Sequence, residues 1–145
     1  VILLDANLLI YAYNTSLPQH RRARAWLQDA LSRPHPVRIA WVSVLAFLRL
    51  TTNPRAFEQP LSINEAITVI SEVLARPMVA MIAPGEQHWG ILRELLSQAQ
   101  VRGALVTDAH LAALAIEHGA TLHTTDRDFE RFPGLRTHNP LTQKE

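Results

Sequence analysis

Residues 107–129 read "TDAHLAALAIEHGATLHTTDRDF". Small and apolar residues dominate the first part, "TDAHLAALAIEHG", which reads as a helix with Thr107 or Asp108 at its N-terminal cap. Gly119 is the stop, because glycine accepts the left-handed conformation that ends helices. The following "ATLHTTD" is a short strand, and "DRDFERF" is a turn or short helix. The segment therefore runs helix, strand, acid, turn.

The same logic opens the chain. "VILLD" is a short apolar run ending in an acid, which suits a strand buried on both faces. Asp5 is the only charged residue among the first thirteen. "ANLLIYAYN" then starts a helix, with Asp5 or Asn7 near its cap. A second helix is expected from Pro18 to about Arg33, with Ala23, Trp26, Leu27, Ala30 and Leu31 on one face. "RPHP" breaks it. "VRIAW" is a second strand, and "VSVLAFLRLTTN" is helical with Ser43 near its start. After the loop "PRAFEQPLS", Ser62 and Glu65 form a capping-box signal, so a helix begins near Ser62. "PMVAMIAP" is a third strand. An amphipathic helix spans Gly85 to about Gln100, "VRGALV" is a connector, and "GLRTHNP" holds a last short strand.

Strands alternating with helices imply an α/β domain whose parallel sheet is covered on both faces. Four or five strands are expected in one domain over residues 1–140, with 141–145 as a polar tail. In such sheets ligands bind beyond the carboxyl ends of the strands. Asp5 ends the first strand, Asp126 ends the fourth, and Asp108 opens the late helix, so the three acids converge at one edge. Each has a plainer role available: Asp5 and Asp108 as helix caps, Asp126 in turn chemistry. Converging carboxylates raise one another's pKa unless a cation joins them. Mg²⁺ and Mn²⁺ prefer such oxygen ligands.

Bulk properties narrow the choice. The chain has 145 residues, 48% of them apolar, and a formal net charge of +1, so any nucleic-acid contact rests on a local patch. No cysteine is present, which excludes disulfides and thiolate metal sites and fits a cytoplasmic location. No secretory signal and no membrane span is expected.

"LLDANLLIYA", "FLRLTTNPRAF" and "TDAHLAALAIEHGATLHTTDRDF" together resemble the PIN-domain family, in particular the VapC toxins of bacterial toxin–antitoxin pairs. The resemblance covers nearly the whole chain. It implies a three-layer α/β/α sandwich and a Mg²⁺- or Mn²⁺-dependent endoribonuclease leaving a 5′-phosphate and a 3′-hydroxyl. It also implies a homodimer restrained by a VapB-type antitoxin. Carried over, the catalytic and metal-binding acids fall on Asp5, Asp108 and Asp126, with Asp128 a further acidic position. Asn7, Ser43, Thr107 and Thr125 are supporting polar positions. Arg49, Arg55, Arg21 and Arg22 are RNA-binding candidates, joined by Arg24 on the same helix. The RNA is expected to be structured, such as tRNA or rRNA, and cut at unpaired loops. One position departs. Many members carry glutamate before "FLR", where this chain has Ala46, leaving the site one acid short. Asp128 is a candidate replacement, and His110 is a candidate contact to phosphate or an outer-shell water, with a surface or packed helix histidine as its plainer reading.

That departure keeps a rival open, a catalytically weak or inactive PIN-like module that binds RNA or protein. A phosphatase of the haloacid dehalogenase type is disfavoured, because Asn7 stands where a second Asp is needed and the only lysine is Lys144. A flavodoxin-like module leaves the acids unexplained. Trp26, Trp41 and Trp89 are expected in the core or an interface, and Tyr11 and Tyr13 near a groove. The helix at residues 62–75 is apolar on more than one side, as a partner surface would be.

Overall fold

The computed structural model describes residues 1–142. Five strands form one sheet: β1 (Ile2–Leu4), β2 (Val37–Ala40), β3 (Val79–Ile82), β4 (Thr121–His123) and β5 (Thr137–His138). Their order is β3-β2-β1-β4-β5, and every pairing is parallel. The helices are α1 (Ala6–Tyr13), α2 (His20–Ser32), α3 (Trp41–Thr51), α4 (Ile63–Leu74), α5 (His88–Gln98) and α6 (Leu105–Glu117), with a 3₁₀ turn at Arg127–Arg131.

Alternation along the strands divides the core. Leu4, Val37, Ile39 and Val79 pack against α1 to α4 on one face. Leu3, Ala40, Ile82 and Leu122 pack against α5, α6 and the 3₁₀ turn on the other. Successive strand side chains point to opposite faces, so the sheet is buried on both sides. This is the expected three-layer α/β/α sandwich. The chain winds from β1 outward through β2 and β3, then returns to place β4 on the other side of β1. The order reverses between β1 and β4, which is where open parallel sheets hold ligands.

Several expected boundaries move. The late helix starts at Leu105, not at Thr107 or Asp108, and its cap position is Ala104, with no side-chain bond. Gly103 at φ +64° makes the preceding turn, and the Val106 N–H closes on its carbonyl at 3.0 Å. Left-handed backbone at that point falls to glycine, so the turn ends earlier than the connector reading implied. Trp41 opens α3 rather than ending β2, and 59% of it is exposed. Trp89 is 64% exposed. Neither tryptophan is in the core. Trp26 is partly buried and stacks on His123. Tyr11 and Tyr13 pack against the core, and Tyr13 meets Phe47 edge-on. The Ser62–Glu65 capping box forms as expected. On α4 Ala66, Ile70 and Val73 are buried, while Ile63 and Ile67 stay exposed. Leu141 is buried in the core rather than in a tail, and its carbonyl accepts from Arg22. Residues 143–145 lie outside the described residues.

Candidate active site

β1 delivers Asp5 to the carboxyl edge of the sheet. The Asp5 N–H donates to the His123 carbonyl at 3.1 Å, extending the β1–β4 register by one step. Asp5 then caps α1, its Oδ1 accepting from the Ala6 N–H at 2.8 Å. Its Oδ2 accepts from the Thr124 hydroxyl at 2.7 Å. Burial pushes the Asp5 pKa up, and the nearby Asp126 carboxylate adds to this, while the bonds from Thr124 and Ala6 pull it back. The cap and the site role coincide in one residue.

Thr124, only 3% exposed, is the hub that the sequence reading missed. Its hydroxyl donates to Asp5 and accepts from the Asp126 N–H at 3.0 Å. Asn7 ties the same segment to α1, donating from Nδ2 to Thr125 Oγ1 at 3.0 Å and to Thr124 Oγ1 at 3.4 Å. A hydroxyl offers one proton and two lone pairs, so Thr124 is fully used. Thr124→Val keeps the shape and removes all three links. We expect a stability loss of about 1–3 kcal/mol, the cost of stranding buried polar partners, read by urea denaturation, while Thr124→Ser stays within about 1 kcal/mol of wild type. Equal stability of the Val and Ser variants would contradict the hub assignment.

Asp126 caps the 3₁₀ turn, its Oδ1 accepting from the Asp128 N–H at 2.8 Å. That turn brings Asp128 alongside. Asp108, Asp126 and Asp128 each offer a carboxylate oxygen, and these lie within 4.8 Å of one another. Because α6 begins before it, Asp108 lies in the first helical turn and takes no side-chain capping bond. Its pKa is pushed up to about 6, first by burial, then by Asp126, Asp5 and Asp128, with Arg131 opposing. Arg131 sits 3.5 Å from Asp128. The trio with oxygens this close is Asp108, Asp126 and Asp128, and Asp5 is near enough to raise the Asp108 pKa as well. Asp5 lies beside the trio, lining a cleft with Asp108, and both its oxygens accept hydrogen bonds.

Two clefts flank these acids. One, of about 520 Å³, is lined by Asp5, Asp108, Thr107, Ser43, Ala46 and Arg49 among others. The other, of about 590 Å³, is lined by Thr124, Thr125, Asp126, Arg127, His138 and Asn139 among others. Ala46 therefore faces Asp5 and Asp108, where a glutamate would have joined them. Ser43 Oγ and Asn7 Oδ1 are buried with no hydrogen-bond partner, which costs about 1–3 kcal/mol per group unless a ligand or water completes it.

The remaining candidates scatter. Arg22 donates to the Leu141 carbonyl at 2.8 Å, and Arg24 lies over the Tyr13 ring at 5.4 Å. Arg21 and Arg55 are exposed and line neither cleft. His110 turns to α5, where its Nδ1 lies 2.9 Å from His88 Nε2. It is packed against His88, as its plainer reading expected.

The donor set fits a hard divalent cation: clustered carboxylate oxygens, the Asp108 carboxyl raised in pKa, and Arg131 opposing that rise among the described residues. The comparisons with known proteins give the family. The PIN domain model matches residues 2–135, and the chain belongs to the PIN domain family. It is 43% identical over 138 residues to Ribonuclease VapC37 of Mycobacterium tuberculosis, covering 95% of this chain and 96% of that protein. It is 38% identical over 143 residues to Ribonuclease VapC33 of the same species, covering 99% and 100%. Among solved structures, VapBC2 from Rickettsia felis, bound to a promoter DNA fragment, superposes with a TM-score of 0.68 at 19% identity, covering 95% and 97% of the two chains. VapC20 of M. tuberculosis, described as a sarcin-ricin loop cleaving toxin, gives 0.67 at 17% identity, covering 94% and 99%.

Proposed function

We propose that this protein is a Mg²⁺- or Mn²⁺-dependent endoribonuclease, the toxin of a toxin–antitoxin pair. The observation that carries the reading is the crowding of Asp126, Asp5 and Asp128 around Asp108, which leaves that half-buried carboxyl near pKa 6. Like charges held this close by the fold are stabilised by a cation. Asp108, Asp126 and Asp128 would hold the ion, with Asp5 behind them. When bound, Mg²⁺ or Mn²⁺ supplies Lewis-acid chemistry, stabilising negative charge on a phosphoryl oxygen and making water more acidic.

The chain's own residues do the positioning. Thr124 fixes Asp5 and the Asp126 backbone, and the Asp126 side chain fixes Asp128. The clefts on either side of the acids give an RNA strand somewhere to run, with Arg49 in one and Arg127 in the other. The 3′ product end would be a hydroxyl and the 5′ end a phosphate. Unpaired loops of structured RNA, tRNA or rRNA, suit a site that must reach the backbone of an unstacked strand. That solved structures of this fold are VapBC complexes supports a VapB-type antitoxin as partner, and the exposed Ile63 and Ile67 on α4 offer apolar surface for it or for a second copy in a homodimer. The site of action is then the cytoplasm, and residues 1–140 act as one catalytic domain.

A second reading, a binding-only PIN module, is favoured by one observation, Ala46 in the cleft. The two separate in one experiment. Total bacterial RNA is incubated with purified protein in Mg²⁺, Mn²⁺ or EDTA, and fragment ends are mapped. Discrete 5′-phosphate ends that require metal support the nuclease. RNA that is bound but intact in every metal supports the binding module.

A further inference from the structure

Helix α3 presents Ser43, Ala46 and Arg49 to the cleft that holds Asp5 and Asp108. Their three-residue spacing stacks them on one face. Ser43 is 2% exposed, and its hydroxyl has no partner. The other hydroxyls of this segment behave differently. Thr51 and Thr52 donate to the Phe47 and Leu48 carbonyls, both at 2.7 Å. Ser43 lies in the first turn, and the residue four positions back, Ile39, belongs to β2. That back-bond is therefore not made, and the buried hydroxyl is left without a partner at the wall of the cleft. Arg49 makes no ion pair among the described residues, and Ala46 between them contributes no polar atom.

The cleft therefore has two chemically opposite walls. One bears the carboxylates Asp5 and Asp108. The other bears a hydroxyl donor, a space and a guanidinium, and no acid. A guanidinium repels a cation and cannot ligate it, but it pairs with phosphate through two parallel N–H donors. We infer that Ser43 and Arg49 bind the non-bridging oxygens of an RNA phosphate, and that Ala46 leaves the room this phosphate fills. On this account Ala46 is a change of wall from cation side to anion side, not a lost ligand. A glutamate at position 46 would lie one turn from Arg49, neutralise it and repel the phosphate.

The inference rests on the nuclease reading for its substrate, and its test separates the two. Ser43→Ala, Arg49→Ala, Arg49→Lys and A46E are compared with wild type, with folding checked by circular dichroism. Three quantities are measured: the Mn²⁺ dissociation constant by electron paramagnetic resonance, the KM for a short single-stranded RNA, and the inhibition constant of inorganic phosphate. Ser43→Ala is expected to raise KM and the phosphate constant roughly tenfold, and Arg49→Ala by ~10–100-fold, as loss of a hydrogen bond to a charged group does. Arg49→Lys recovers part of the loss, because it keeps the charge without the fork. In all three the Mn²⁺ constant stays within about twofold of wild type, the acids being untouched. A46E moves the other way, binding Mn²⁺ more tightly and both RNA and phosphate more weakly.

Two results overturn the inference while leaving the nuclease intact. In one, Ser43→Ala and Arg49→Ala weaken Mn²⁺ binding and spare KM and phosphate inhibition. In the other, wild type binds Mn²⁺ and cleaves RNA, and the variants match it or A46E tightens RNA binding. A wild-type protein that neither binds Mn²⁺ nor cleaves overturns the nuclease reading, and the inference falls with it.

Discussion

Asp126→Asn is expected to give a folded protein that has lost Mn²⁺ binding and cleaves RNA at least ~10³-fold more slowly, the several kcal/mol that a lost metal centre removes from transition-state stabilisation. Asparagine keeps the side-chain oxygen that accepts from the Asp128 N–H, so the 3₁₀ turn can stay capped. Its backbone N–H still reaches Thr124. What disappears is one full charge from a trio whose oxygens lie within 4.8 Å. Mn²⁺ titration and cleavage of a defined RNA read the two effects side by side. A variant that keeps both Mn²⁺ affinity and rate would remove Asp126 from the ligand set and leave Asp108 and Asp128 too few to hold the ion. A variant that keeps affinity but loses rate would move Asp126 from ion binding to substrate handling.

The layout behind that prediction was largely legible in the sequence. "VILLD" and "ATLHTTD" are apolar runs closed by acids, and a parallel sheet puts both ends at one edge. The β1–β4 pairing, Leu4 opposite His123, then places Asp5 beside the Thr124–Asp126 segment. The division of labour among the acids was not legible. Whether a carboxylate is free or already hydrogen-bonded depends on contacts across more than a hundred residues, such as Thr124 to Asp5. Only side-chain geometry shows that both Asp5 oxygens accept hydrogen bonds and that Asp128 lies beside Asp108 and Asp126. Thr124 escaped notice because two threonines in a row offer no local reason to choose between them. Strand alternation from the buried Leu122 would have found it, since Thr124 lies two residues on and points inward as well. The start of α6 was missed because no polar cap marks it. Gly103 was the available signal, a left-handed turn just ahead of the helix.

Asp108→Asn should make the metal-free protein more stable at neutral pH while making the metal-bound protein less so. The wild-type Asp108 pKa stands at about 6 against 3.8 for the free side chain. Between those values the folded state holds the proton more tightly than the unfolded state. The resulting stabilisation is full below pH 3.8, and it is lost as pH rises through about 6. Taken at face value the shift is worth ~3 kcal/mol. Solvent screening of this half-exposed group reduces that to about 1 kcal/mol, or about 3 °C in Tm for a chain of this size. His123, held down to about 4 chiefly by burial, works in the opposite sense: its share of stability is present above pH 6.5 and is lost as pH falls towards 4. Wild type alone therefore shows a composite profile. Because His123 is common to both proteins, the difference between wild type and Asp108→Asn isolates the carboxylate. In EDTA the two are expected to melt together near pH 4 and to separate by pH 7, with the variant higher. Mn²⁺ should then reverse the order at pH 7, since an ion that binds only the folded wild type adds stability in proportion to RT ln(1 + [L]/Kd). A variant that melts below wild type in EDTA at pH 7 would mean that Asp108 is held by favourable contacts rather than crowded by its neighbours. The electrostatic case for a cation at this edge of the sheet would then fail.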